Sequence, residues 1–94
     1  MSNHGPKMNL RDFEVTRHEL KRPLLVISGT KGVLACGYLN VETFNKLDEA
    51  GAIVTGVDSF EAMLDASLIA VSKAARELGL AEGMTGRQAL ERFR

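Results

Sequence analysis

Pro23-Leu24-Leu25-Val26-Ile27-Ser28, Gly29-Thr30-Lys31-Gly32, Val33-Leu34-Ala35-Cys36-Gly37-Tyr38-Leu39-Asn40 and, ten residues later, Gly51-Ala52-Ile53-Val54-Thr55-Gly56-Val57-Asp58 form the stretch on which the fold turns. Pro23 has no N–H to donate and biases Arg22 toward extended backbone, so it suits the start of a strand over Leu24–Ser28. Gly-Thr-Lys-Gly has hairpin length, with glycine available for positive φ, and joins that strand to an antiparallel neighbour over Val33–Cys36. Both runs are apolar on consecutive residues, which predicts cover on both sheet faces, one by helices and the other by a second subunit.

From Asn40 the period becomes helical: Val41, Phe44, Leu47 and Ala50 recur every third residue, with Asn40 as N-cap and Gly51 as the stop. A strand over Ala52–Thr55 follows directly. Strand, helical crossover and strand in one sheet give a right-handed βαβ unit with parallel strands. Outside this unit, Phe13-Glu14-Val15-Thr16 alternates as a half-exposed edge strand does. Phe60, Leu64, Leu68, Val71, Ala75 and Leu78 continue at spacings of four and three. That stripe predicts a short helix capped by Asp58 or Ser59, then a longer one over Ala66–Leu78 ended by Gly79. Thr85-Gly86-Arg87-Gln88 matches a capping box opening a last helix with Ala89, Leu90 and Phe93. The expected fold class is α+β: a small mixed sheet, hairpin plus βαβ unit, packed with helices. The pattern leaves strand order open.

Ninety-four residues suit one domain, and a chain of this size buries only about two thirds of the surface its unfolded form exposes. Residues 1–8 read as a flexible arm, since nothing there is periodic and Gly5-Pro6 interrupts regular structure; residues 9–94 read as a single α+β domain. With 45% apolar residues and one cysteine, stabilisation by association between copies is expected, hence a homo-oligomer.

Twelve basic and twelve acidic residues cancel, which leaves no global field to gather nucleic acid or an anionic membrane. Stacking positions for bases are also few, with four Phe and one Tyr. The charge is uneven. Residues 41–65 carry one basic and six acidic groups, while residues 1–22 and 73–94 each carry five basic and three acidic. The lone Cys36 fits a reducing compartment, no apolar run follows the N-terminus, and the longest strongly apolar run is Leu24–Ile27. The expectation is a cytoplasmic protein, with no membrane or nucleic-acid partner.

Lys31-Gly32 to Cys36-Gly37-Tyr38-Leu39-Asn40, with Lys46-Leu47, Thr55-Gly56-Val57, Phe60-Glu61 and Gly83-Met84-Thr85-Gly86-Arg87, resembles the YunC-like family of small prokaryotic proteins of unknown function. The resemblance spans roughly residues 22–93. It implies a compact α+β domain and carries no residue roles or cofactor.

Parallel strands place their carboxyl ends on one edge, so Cys36-Gly37-Tyr38 and Thr55-Gly56-Val57-Asp58 are expected to meet there, with Asn40 and Ser59 at nearby helix starts. Open α/β sheets bind ligands at that edge, and helix N-termini favour a carboxylate or phosphate. The candidate binding residues are therefore Cys36, Gly37, Tyr38, Asn40, Thr55, Gly56, Asp58 and Ser59. The plainer reading is that the glycines turn the chain and Asn40 and Ser59 cap helices. Cys36 is the candidate nucleophile, but His4 lies in the arm and His18 precedes the second strand, so no base accompanies it. A cysteine inside an apolar strand is usually a small buried hydrophobe. Glu42 suits a helix first turn, and only a shared edge recommends pairing it with Asp58 as acids. Lys31 lacks phosphate-loop spacing, and no ligand-spaced cluster suggests a metal. Three readings follow: a homo-oligomeric module binding a small ligand or protein partner at the Cys36–Asn40/Thr55–Asp58 edge, a small enzyme using Cys36, or an assembly subunit using the Leu64-Leu68-Val71-Leu78 stripe. No cofactor is expected.

Overall fold

A computed structural model describes residues 10–94; the arm expected at residues 1–8 lies outside them. A 3₁₀ turn, Leu10–Asp12, leads into β1 (Glu14–His18), β2 (Leu24–Ser28) and β3 (Val33–Ala35). Helix α1 (Val41–Lys46) crosses to β4 (Gly51–Ile53), and α2 (Phe60–Asp65), β5 (Ala70–Val71), α3 (Lys73–Glu77) and α4 (Gly86–Phe93) follow. The five strands form one sheet in the order β1-β2-β3-β4-β5. β3 and β4 run parallel, in the register Val33↔Gly51, Leu34↔Ala52 and Ala35↔Ile53; every other neighbouring pair is antiparallel. This is the expected α+β fold.

Period-two alternation sorts the strands onto two faces. Leu25, Ile27, Leu34, Ala52 and Val71 join Met63, Leu64, Leu68, Ala75, Leu90 and Phe93 in the main core, beneath α2, α3 and α4. On the other face Ala35 and Ile53 pack against Phe44 of α1, with Val26, Val33 and Ala70 half-buried around them. The second face is thus covered by the crossover helix near β3 and β4, while β1 is exposed along its whole length.

Three expectations are corrected. Gly51 does not end α1: Asp48, at φ 56°, takes the left-handed position. There Glu49 N–H donates to Phe44 O at 2.9 Å and Asp48 N–H to Asn45 O at 3.2 Å, a Schellman ending. Gly51 instead opens β4 beneath Phe44, whose ring lies 2.4 Å from where a Cβ would stand. The strand expected over Ala52–Thr55 accordingly spans Gly51–Ile53.

The Ala66–Leu78 helix is the largest departure. Leu68 N–H donates to Met84 O (2.7 Å), Gly83 N–H to Leu68 O (3.0 Å) and Gly86 N–H to Ala66 O (2.9 Å), so this segment pairs with the loop before α4. Ala70–Val71 then adds to β4 as the last strand. Ser72, fully buried, starts α3: its Oγ accepts from Gly51 N–H (2.9 Å) and Ala75 N–H (3.2 Å) and donates to Glu49 O (2.9 Å). Leu64, Leu68 and Val71 are core residues of three different segments and form no exterior stripe.

α4 begins in the expected capping box, Thr85 with Gln88. It ends by pressing Phe93 onto the hairpin turn, where Lys31 N–H donates to Phe93 O at 2.8 Å. Gly32 is needed there, since a Cβ would sit 2.3 Å from the Phe93 ring.

Candidate functional site

The parallel pairing continues past both strand ends. Val54 N–H donates to Ala35 O at 2.9 Å, which brings Gly37 against Thr55: a Cβ on Gly37 would stand 2.9 Å from Thr55 Cγ2. Cys36-Gly37-Tyr38 and Thr55-Gly56-Val57 therefore emerge side by side, and with Arg22 and Pro23 they line an open pocket of about 280 Å³. Tyr38 is 48% exposed. Its phenolic oxygen accepts from Arg22 N–H at 3.2 Å, tying the β1–β2 connection to the rim.

Arg22 and Pro23 were not among the residues expected at this edge, although the signal was present. β2 runs antiparallel to β3, so its beginning must lie beside the end of β3. Among the described residues, Arg22 is the sole charged one lining the pocket. Its guanidinium makes no ion pair among the described residues. Arg17 was also missed: from β1 its Nη1 donates to Asp58 O at 3.1 Å, holding the β4–α2 connection across the sheet end.

The remaining expected residues are placed differently. Asn40 Oδ1 accepts from Glu42 N–H (2.8 Å) as the cap of α1, and Ser59 Oγ accepts from Ala62 N–H (3.0 Å) as the cap of α2. Asn40 lines a second hollow, on the other side of Gly37, Tyr38 and Thr55, together with Ile53 and the exposed Ile69. Asp58 and Ser59 line neither hollow. Each cap satisfies one first-turn N–H of its own helix, and the positive side chains that the described residues bring to this end of the sheet include Arg22 at the pocket and Arg17 on the Asp58 carbonyl.

Cys36 forms part of the pocket wall yet is only 3% exposed. Its N–H donates to Leu25 O at 3.1 Å, while its carbonyl turns away to accept from Leu39 N–H at 3.1 Å. The ladder position that carbonyl vacates is filled by the thiol: Leu25 N–H donates to Cys36 Sγ at 3.3 Å. His18 pairs with Leu24 across β1–β2. Alternation places it on the sheet face opposite to Arg17 and Leu25, so among the described residues no imidazole is aimed at the sulfur.

A larger hollow of about 470 Å³ lies at the opposite sheet end, between the Gly29–Val33 turn, Asp48-Glu49-Ala50 and Ala74, Glu77 and Leu78 of the α3 region. It sets Lys31 among three carboxylates and lies at the amino ends of the parallel strands, away from the edge at which such sheets bind ligands. Among the described residues no cluster of His, Cys, Asp and Glu could hold a metal ion, and no helix is long and apolar enough to cross a membrane.

Fold and site together define a small α+β protein with a mixed five-stranded sheet and an arginine-rimmed pocket at the carboxyl ends of its parallel pair. Residues 35–93 match the model of a domain of unknown function, DUF1805, and the chain belongs to that family. It is 38% identical over 74 residues to the uncharacterized protein YunC of Bacillus subtilis (strain 168), a match covering 74% of this chain and 73% of the relative. The crystal structure of a protein of unknown function from Thermoplasma acidophilum superposes with a TM-score of 0.77 at 29% identity, covering 87% of this chain and 93% of that one. The YunC-like resemblance read from the sequence is thereby established. The family brings no specific activity, ligand or partner with it.

Proposed function

We propose that the protein binds a small anionic ligand, a carboxylate or phosphate, without covalent chemistry in the pocket between Cys36-Gly37-Tyr38 and Thr55-Gly56-Val57, and that it works as a self-associating module of the cytoplasm. The observation that carries this reading is the convergence of Arg22 with exposed Tyr38 and Thr55 around two exposed glycines. A guanidinium presents paired N–H donors that match a carboxylate or phosphate edge. Gly37 and Gly56 let a ligand approach the main chain closely. The single charge and the apolar Pro23 and Val57 walls suit a compact anion with an apolar body, in keeping with the few placed polar groups of most small-molecule sites.

Thermal unfolding in the presence of a panel of small carboxylates and phosphates tests the reading. A ligand at about 100 times its Kd stabilises by about 2.7 kcal/mol. Stabilisation by a panel member that is lost in Arg22→Gln and in Thr55→Val supports the site, provided both variants melt like the parent without ligand. Stabilisation indifferent to both changes, or none with any anion, counts against it.

A further inference from the structure

We infer that β1 is a self-pairing edge, on which a second copy of this chain adds its own β1 antiparallel across a two-fold axis at Thr16 to give a continuous ten-stranded sheet. This deepens the self-association proposed above by giving it a surface. The two edges of the sheet differ. β5 is two residues long, a length that protects an edge, whereas β1 pairs with β2 over five consecutive residues without a bulge, proline or glycine and is exposed throughout.

Hydrogen-bond phase shows which groups the edge offers. Gly29 N–H bonds to Gly32 O, and Cys36 N–H to Leu25 O. Leu25 and Ile27 therefore direct their main-chain groups toward β3, and Val26 toward β1. Thr16, opposite Val26, is then bonded to β2, while Val15 and Arg17, opposite Ile27 and Leu25, turn their N–H and C=O outward.

A closed dimer that keeps both helical layers on one face requires a residue to face its own copy, so the axis passes through Val15, Thr16 or Arg17. An axis at Arg17 sets like charges together, and one at Val15 leaves His18 beyond the partner strand. Only the Thr16 axis pairs all five residues. It joins Val15 of each copy to Arg17 of the other through four main-chain hydrogen bonds, one N–H from each of these residues in each copy. The same register sets Glu14 opposite His18, acid against imidazole, at the non-hydrogen-bonded positions where side chains approach most closely. It also covers Val15, which is 46% exposed.

The test combines sedimentation with cross-linking on the full chain. The parent is expected to sediment as a dimer. Val15→Pro removes an outward N–H without touching the β1–β2 ladder and is expected to give a folded monomer. Thr16→Cys places two sulfur-bearing residues about 4.5 Å apart between Cα atoms, within disulfide reach, and is expected to cross-link on mild oxidation. Val15→Cys, about 7–8 Å from its own copy on the diagonal, is not. If Val15→Pro unfolds, the cross-linking pair decides. Faster cross-linking of Val15→Cys than of Thr16→Cys overturns the register. A parent dimer that survives Val15→Pro and that does not cross-link in Thr16→Cys overturns the β1 interface but leaves self-association standing. A parent that is monomeric up to about 1 mM, as it would be were its own N-terminal segment to occupy the edge, overturns both.

Discussion

Gly37 and Thr55 touch where the two parallel strands end, with the Gly37 Cα facing the Thr55 methyl so closely that a Cβ would come within 2.9 Å of it. Thr55 is stiff about χ1 and has little freedom to retreat. Gly37→Ala is therefore expected to destabilise the protein by about 1–2 kcal/mol through overpacking. Gly37→Ala combined with Thr55→Ser, which removes the methyl, should recover most of the loss. The coupling, read from urea unfolding of both single variants and the double, should exceed about 0.5 kcal/mol. Simple additivity would mean that the two residues do not touch.

Cys36 serves the sheet as an acceptor, since Leu25 N–H is buried and bonds to the sulfur. Cys36→Ala should cost about 1–3 kcal/mol by stranding that N–H, and Cys36→Ser, which restores an acceptor, should cost less. Iodoacetamide should label the folded parent far more slowly than the protein in denaturant, because the thiol is enclosed. Rapid labelling of the native protein would show a mobile wall.

Ser72 satisfies three main-chain groups from a fully buried position. Ser72→Ala strands Gly51 N–H and removes the cap of α3, with an expected loss of about 2–3 kcal/mol in chemical unfolding. A loss of only a few tenths would show that water or a shifted strand takes over these bonds.

The hairpin and the βαβ unit were legible because local chemistry and global fold agree there: a glycine-bounded turn between contiguous apolar runs, then a capped three-period helix. The stretch Ala66–Leu78 was not. Leu68, Val71, Ala75 and Leu78 satisfy helical spacing, yet Leu68 is claimed by the Met84 loop and Val71 by β4. Such non-local pairings leave no mark on the local pattern, although Ser72 and the β-branched Ile69 and Val71 weaken a helix. At the pocket, Cys36, Gly37, Tyr38, Thr55 and Gly56 follow from parallel strand ends alone. Arg22 was equally derivable from the antiparallel hairpin. The capping roles of Asn40 and Ser59 were readable as residue types, and the tie from Arg17 to the Asp58 carbonyl was not.

Asp48 holds a left-handed conformation, at φ 56°, at the end of α1. Gly79 holds the matching place after α3, at φ 96°, with the same pair of closing hydrogen bonds. Asp48→Gly should stabilise the chain by about 0.5 kcal/mol, relief of the left-handed strain outweighing the added unfolded-state entropy. A lower melting temperature would show that the carboxylate itself matters.

The Arg76 guanidinium hydrogen-bonds Glu82 and holds its carboxyl below the usual value of 4.5. Because the folded-state value is the lower one, the contribution of this pair is complete above pH about 4.5 and fades as pH falls through the depressed value. Both groups are well exposed, so the effect is small. Arg76→Gln should destabilise slightly near neutrality and become indistinguishable from the parent in acid, as followed by melting temperature against pH. A difference that grows toward low pH would contradict this sign.

The pocket itself is tested most directly by amide chemical shifts of the labelled protein during titration with phosphate and with a short dicarboxylate. Saturable shifts are predicted at Gly37, Tyr38, Thr55 and Gly56, lost in Arg22→Gln. Shifts gathered instead around Thr30, Lys31 and Gly32 at the other end of the sheet, or none with either anion, would contradict the account.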